Sequence, residues 1–259
     1  MKTMMITGGS SGIGRAAAEL FSANGYKVYE LSRHGESVGN ITHIDCDVTQ
    51  PEDCKRAVSK VLDEQPRIDV LISNAGMGIS GAVEFTELSE ARRQFDVNFF
   101  GALNITQAAL PHMRKQQGGK IIFVSSMMAV FSLPFQAFYS ATKSAVNSLA
   151  LALRNELSPF GIEVCALMPG DIKTGFTAAR NKSMVGNDVY KNMEHAVSTM
   201  EHDEQNGMSP ESMARKLLSL ANAKHPTALS TVGWKYHLFI LLGKLLPATL
   251  AYRVIGKMY

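Results

Sequence analysis

Tyr139 and Lys143 stand four residues apart in FYSATKSAV, residues 138 to 146. At about 100° per residue this spacing puts both side chains on one side of a helix, in line with Val146, Ala150, Leu153 and Leu157. That is the apolar side of the segment. Ser140, Ser144, Asn147 and Asn155 fall elsewhere and predict a wet face. A lysine set in an apolar stripe must snorkel to water or find a buried partner. A phenol beside an ammonium can also pass a proton, because the positive charge stabilises the phenolate. One pair at helical spacing does not by itself separate chemistry from packing.

A second candidate lies at the N-terminus, where TGGSSGIGRAAAELF follows the first apolar run. Gly8, Gly12 and Gly14 permit a tight turn and close backbone approach to a pyrophosphate, and the amides at a helix start attract its charge. The pattern is TGxxxGxG, neither GxGxxG nor the GxxxxGK[ST] of a P-loop. Its other reading is a simple strand-to-helix connection.

The elements that must position these residues are legible as an alternation. Apolar runs recur at KTMMIT, YKVYEL, ITHID, IDVLIS, GKIIFVSS, IEVCALM and TALSTV, with amphipathic stretches such as GRAAAELFSANG and PEDCKRAVSKVLDEQ between most of them. This predicts an α/β fold, a doubly wound parallel sheet of about seven strands with helices on both faces. Ligands in such sheets bind beyond the carboxyl ends of the strands. A length of 259 residues suits one domain over 1–259 with a substantial core. The 26 basic and 23 acidic residues are well mixed, so no nucleic-acid partner is expected. Three cysteines, at 46, 54 and 165, show neither metal-ligand spacing nor a disulfide framework and point to a reducing cytosol. MKTMMITGG runs straight into a strand, leaving no room for a signal peptide.

Taken in order, the motifs carry a resemblance. TGGSSGIG at 7–14, Asp47-Val48, NAG at 74–76, Asn98, a serine after the fifth strand, YSATK at 139–143 and PGDIKT at 169–174 are similar to those of the classical short-chain dehydrogenase/reductase (SDR) family, a Rossmann-type fold. The resemblance implies hydride exchange between a nicotinamide and a carbonyl or alcohol. It makes Tyr139 the acid/base, Lys143 its partner and a holder of the ribose hydroxyls, and Ser126, thirteen residues before the tyrosine, the group that binds the reacting oxygen. Ser125 is then structural. Asn98 would sit where a helix is distorted around a water leading from the lysine. Cofactor contacts would come from Gly8, Ser10, Ser11, Gly12, Ile13 and Gly14; from Asp47 and Val48 at the adenine; from Asn74, Ala75 and Gly76; and from Pro169, Gly170, Ile172 and Thr174 near the nicotinamide. Bringing a tyrosine from about 10 to near 7 requires roughly 4 kcal/mol, which Lys143 and the oxidised nicotinamide would supply together.

NAD-preferring relatives end the second strand in an acidic residue. Here KVYELSRHG offers Ser32 and Arg33, a hydroxyl and a permanent cation where a 2′-phosphate would lie. NADP(H) is expected, with NAD(H) left open because a shifted strand end would revive Glu30. Residues 175–207 read as one or two helices and a substrate lid, whose Met184, Met193 and Met200 either line a pocket or pack as helix core. The tail 234–259, WKYHLFILLGKLLPATLAYRVIGKMY, is apolar but interrupted by Lys244, Pro247 and Arg253, so it is not a transmembrane anchor. Three readings of it stand: packing over the site, a subunit contact, or a peripheral membrane contact. The expected protein is a cytoplasmic, optionally membrane-associated homodimer or homotetramer that interconverts a hydrophobic, lipid- or steroid-like carbonyl and its alcohol. A 3-oxoacyl thioester reductase and a non-catalytic dinucleotide sensor are the alternatives.

Overall fold

A computed structural model describes the backbone of residues 1–259 and every side chain except that of Lys244; the charge expected of Lys244 in the tail lies outside the described side chains. Each of the seven anticipated runs supplies a strand: β1 (Lys2–Thr7), β2 (Tyr26–Ser32), β3 (Ile41–Asp45), β4 (Val70–Ser73), β6 (Gly119–Val124), β7 (Ile162–Leu167) and β9 (Leu229–Ser230). They form one parallel sheet in the order β3-β2-β1-β4-β6-β7-β9. The short strands β5 (Ile79–Ser80) and β8 (Asn181–Lys182) pair separately.

Both faces of the sheet are buried because alternate residues serve different cores. Met5, Tyr29, Leu71, Ile121, Phe123 and Val164 pack with α2 (Pro51–Glu64), α4 (Gly101–Lys115) and α5 (Ala137–Leu157). Met4, Ile6, Val28, Ile72, Ile122 and Cys165 face the other way, towards α1 (Gly12–Ala23) and α8 (Pro210–Asn222). α3 (Leu88–Phe95) runs through a π-helical turn, Asp96–Phe100, into α4. After β7 come α6 (Phe176–Ala179) and α7 (Met193–Gln205). The tail forms a hairpin of α9 (Trp234–Leu245) and α10 (Ala248–Met258), broken at Pro247. No helix, among the described residues, is long and apolar enough to cross a membrane.

The expected wet face of α5 is corrected. Val146, Ala150, Leu153 and Leu157 are buried as the stripe requires, but so are Ser140 and Asn147, while Ser144 donates to the Ala129 carbonyl at 3.0 Å. Of the four polar positions only Asn155 is exposed. The helix lies between β7 on one side and α3 and the Met127–Ala129 turn on the other, so its polar residues meet protein where a one-sided helix would meet water.

Candidate active site

The sheet's strand order reverses between β1 and β4, and the crevice beyond their carboxyl ends is where the glycine turn begins. Gly8 and Gly12 take φ values of +64° and +52°, which only glycine adopts without strain. Gly14 is required for space: a Cβ there would lie 2.1 Å from the Gly8 carbonyl oxygen and 2.6 Å from Asn74 Nδ2. Asn74 Nδ2 donates to the carbonyls of Thr7 and Gly8, each at 3.0 Å. Thr7 Oγ1 in turn accepts the backbone N–H groups of Asn74 and Ala75, also at 3.0 Å. The NAG segment therefore latches the glycine turn. Ser10, Ser11, Gly12 and Ile13 border a cavity of about 1070 Å³ at the start of α1, a setting that suits a pyrophosphate.

At the end of β2, Ser32, Arg33 and His34 border the same cavity, and Ser32 Oγ donates to the His34 carbonyl at 2.8 Å. Glu30 does not reach the cavity. It is buried within the sheet with Oε2 2.5 Å from His43 Nδ1, because β2 continues to Ser32; the option that Glu30 acts as the acidic selector is overturned. Burial pulls the His43 imidazole down, but bonds to Glu30 and Asp45 outweigh it and hold the group above its usual value. After β3, Asp47 Oδ1 accepts from Thr49 N at 2.9 Å and Thr49 Oγ1 at 2.8 Å, and Asn104 Nδ2 donates to Val48 O at 2.9 Å. These bonds fix Asp47 and Val48 at the rim.

Where the cavity meets α5, Lys143 is buried and donates from Nζ to the Val124 carbonyl at 2.9 Å; its Nζ lies 5.7 Å from the centroid of the Tyr139 ring. The two side chains share one side, as their spacing requires. Ser125 Oγ donates to the Lys143 carbonyl at 3.1 Å and anchors α5. Ser126, which borders the cavity, accepts the Met128 N–H at 3.1 Å. Asn98 sits in the π-helical turn: Oδ1 accepts Met77 N–H at 2.8 Å, and Nδ2 donates to Met77 O at 3.0 Å and Thr142 Oγ1 at 3.1 Å.

Burial lowers the Lys143 ammonium to about 8. It also raises the Tyr139 phenol to about 12, assisted by the Glu204 charge and opposed by Ser126 and Arg180. A tyrosine near 7 is therefore not a property of the protein alone. Desolvation dominates, and Lys143 is not among the groups that pull the phenol down.

The residues matched to a family model, "short chain dehydrogenase", run from 2 to 185. The chain is 40% identical over 234 residues to a 3-ketodihydrosphingosine reductase of Bacteroides thetaiotaomicron, covering 89% of this chain and 87% of that protein. The chain belongs to the short-chain dehydrogenase/reductase family. A short-chain dehydrogenase from Streptomyces avermitilis superposes with a TM-score of 0.82 at 30% identity, covering 94% of each chain. A 3-ketoacyl-(acyl-carrier-protein) reductase from Brucella melitensis, complexed with NADH, superposes at 0.76 with 27% identity over 89% of this chain and 96% of that one. As an SDR protein the chain is an oxidoreductase of the alcohol/carbonyl type, served by NAD(P)(H).

In this SDR chain the cavity gathers Ser126, Tyr139 and Lys143 with Gly8, Asp47, Val48, Asn74, Ala75, Gly76, Pro169, Gly170, Ile172 and Thr174. Gly14 and Asn98 stand behind its wall: Gly14 closes the turn, and Asn98 holds the Met77 backbone beneath Gly76. Sequence reasoning missed three supports. Thr7 latches the NAG segment. Tyr236 fills the space beside Gly170, where a Cβ would lie 2.0 Å from its ring; its hydroxyl accepts Asp171 N–H at 2.8 Å and donates to Asp171 Oδ2 at 2.6 Å. The buried Arg180 pairs with Glu204 at 2.5 Å, and Thr177 donates to the same carboxylate at 2.6 Å. This pair steadies Phe176, whose ring centroid is 5.8 Å from that of Tyr139. Only Tyr236 had a local signal, an aromatic at the head of the apolar tail.

The expected lid, 175–207, comprises α6, β8 and α7, and two of its three methionines resolve to packing. Met193 and Met200 are buried in a cluster with Ala82 and Val197, and Met184 is exposed.

Proposed function

We propose that the protein is an NADP(H)-dependent reductase of a lipid-like ketone, with Tyr139 as the acid/base. The observation that carries this reading is the two-sided character of the cavity. Tyr139, Ser126 and Lys143 lie in one wall, while Leu242, Leu246, Ala251, Val254, Ile255 and Met258 of the α9–α10 hairpin form another. A polar reacting group and a long apolar remainder fit it together.

The glycine cradle, Asp47-Val48, Asn74–Gly76 and Pro169–Thr174 suit a dinucleotide, which when bound supplies or accepts the hydride. Ser126 Oγ already accepts an amide, so its hydroxyl proton is free to donate to the reacting oxygen. Tyr139, at about 12, remains protonated at neutral pH and is ready to donate to an alkoxide, a far stronger base. Lys143, at about 8, is a buried amine still mostly charged at neutrality that sheds its proton just above it, so a neighbouring anion would stabilise the charged form. Phosphate preference is supported by Ser32 and Arg33 at the rim and by Glu30 turned into the sheet. A charge-assisted contact of about 1.5 to 3 kcal/mol gives NADPH roughly a ten- to hundredfold advantage over NADH. Residues 175–207 serve as the lid through Phe176 and the Arg180–Glu204 pair.

The test is turnover of ketones of increasing chain length with NADPH and with NADH. Each buried methylene contributes about 0.8 kcal/mol, so kcat/KM should rise roughly fourfold per carbon until the cavity is filled. A flat length dependence with strong preference for an acyl thioester supports the thioester reductase instead. Cofactor binding with no turnover on any carbonyl supports a sensor.

A further inference from the structure

The hairpin carries more apolar surface than its packing uses. Trp234, Leu238, Leu241 and Leu245 are exposed along α9, three of them at 80, 53 and 71% (Trp234, Leu241 and Leu245). Their spacing of four, three and four residues puts them on one stripe. Leu250, Val254 and Met258 repeat the arrangement along α10. The inner side is engaged: Tyr236 bonds Asp171, the Gly243 backbone packs on the Phe131 ring, and the Tyr252 hydroxyl accepts Ser132 N–H at 3.4 Å. Among the described residues no buried cluster takes in the outward stripes.

Charge narrows what could cover them. Residues 234–259 contain Lys235, Lys244, Arg253 and Lys257 but no aspartate or glutamate, although the whole chain nearly balances 26 basic against 23 acidic residues. Arg253 and Lys257 are exposed and sit one helical turn apart, flanking the α10 stripe. A second copy docking through the same patch would set cations against cations with no acid between them. An anionic surface meets no such conflict. Leu242, Leu246, Val254 and Met258 are moreover both exposed and part of the cavity wall. The cavity thus opens within the apolar patch.

We propose that α9 and α10 dock on an anionic lipid bilayer, with their exposed stripes in the interface and Arg253 and Lys257 at the headgroups, so that the cavity mouth faces the membrane. The route it gives a substrate rests on the lipid-ketone reading; the docking itself does not. A lipid ketone would pass from the bilayer to Tyr139 without crossing water.

The full-length protein is sedimented with vesicles of phosphatidylcholine alone and of phosphatidylcholine with phosphatidylserine. Binding is expected to the mixed vesicles and to fall at least about tenfold with added salt or in R253E/K257E, each basic residue contributing at an anionic surface. L241D/L245D, which alters two outward residues off the cavity wall, should lose vesicle binding while keeping its melting temperature and its NADPH-dependent reduction of a short, water-soluble ketone. No binding to either vesicle, or equal binding to both, overturns the proposal. So does light scattering that finds a dimer which L241D/L245D splits, with no vesicle binding in the parent. Vesicle binding by a protein that reduces no ketone upholds the docking and refutes the catalytic reading, so the two failures are distinct.

Discussion

Against the strand ends, the cavity is walled by backbone and by side chains already committed to it, Asn74 to the Thr7 and Gly8 carbonyls and Lys143 to that of Val124, with Asn98 behind the wall bonded to the Met77 backbone. Against the hairpin it is walled by aliphatic side chains held in place by a few tyrosine contacts. Proton transfer demands atoms fixed to a fraction of an ångström, and buried directional bonds supply that. An apolar chain demands only volume and dryness, and aliphatic packing tolerates variation in what it holds. One wall is therefore expected to fail sharply on a single substitution and the other to tolerate it.

The largest effect should come from Tyr139→Phe. Ring packing on Phe176 is retained and only the proton is lost, so turnover should fall about 10³-fold, within the usual range for a positioned acid. NADPH binding, followed by fluorescence titration, should change little. An unchanged rate would remove Tyr139 from the chemistry and erase the contrast between the two walls.

Gly14→Ala comes next. Its Cβ would strike the Gly8 carbonyl at 2.1 Å, and that oxygen cannot retreat without unlatching Asn74. A loss of about 3 kcal/mol, the upper end for overpacking, is expected in chemical denaturation, together with at least about tenfold weaker dinucleotide binding.

Lys143→Met separates function from stability. The folded value of about 8 lies below the ordinary 10.5, so between those pH values the unfolded chain holds a proton that the folded chain has shed, and stability rises with pH across the window. Below about 8 both states are charged and the folded one bears the whole desolvation penalty. The shift corresponds to about 3 kcal/mol; loss of the bond to Val124 returns about 1. The variant should therefore be about 2 kcal/mol more stable at pH 7, lack the rise between pH 8 and 10.5, and be inactive. A destabilised variant at pH 7 would mean that the ammonium is better solvated than its burial implies.

The same two walls differ in how far they can be read from sequence. Apolar runs mark the strand ends, so Asp47, Asn74, Ser126 and Pro169 could be placed beyond them, and helical period could put Tyr139 and Lys143 on one side of a helix; the roles expected of them came from the resemblance in motif order. Ser140 and Asn147 were misread because period reports which residues differ along a helix, not how many neighbours surround it. Packing of the tail over the site was one of three open readings, and its particular contacts were illegible for another reason. Tyr236 meets Asp171 across 65 residues and Arg180 meets Glu204 across 24, and no local pattern specifies a pairing of that kind. Tyr139's high resting value was missed because a charge partner is visible in the sequence while desolvation is not.

The smallest effect sharpens the contrast by repeating one substitution on a helix that carries part of the other wall. Gly256 lies within α10, and nothing stands within 4 Å of where its Cβ would be. Alanine there meets no carbonyl, takes ordinary helical angles and reduces the freedom of the unfolded chain. Gly256→Ala should raise stability by about 0.5 to 1 kcal/mol, detectable as a small rise in melting temperature, with kcat/KM for a short ketone unchanged. The Gly→Ala exchange that breaks the turn behind the cofactor wall would then strengthen the helix that carries part of the substrate wall. The sign reverses because one glycine fills a gap that backbone has already closed, while the other leaves a helix less well made than it could be. Should Gly256→Ala also destabilise, the outer hairpin would be as tightly fitted as the glycine turn, and the division between a fixed wall and an adaptable one would not hold.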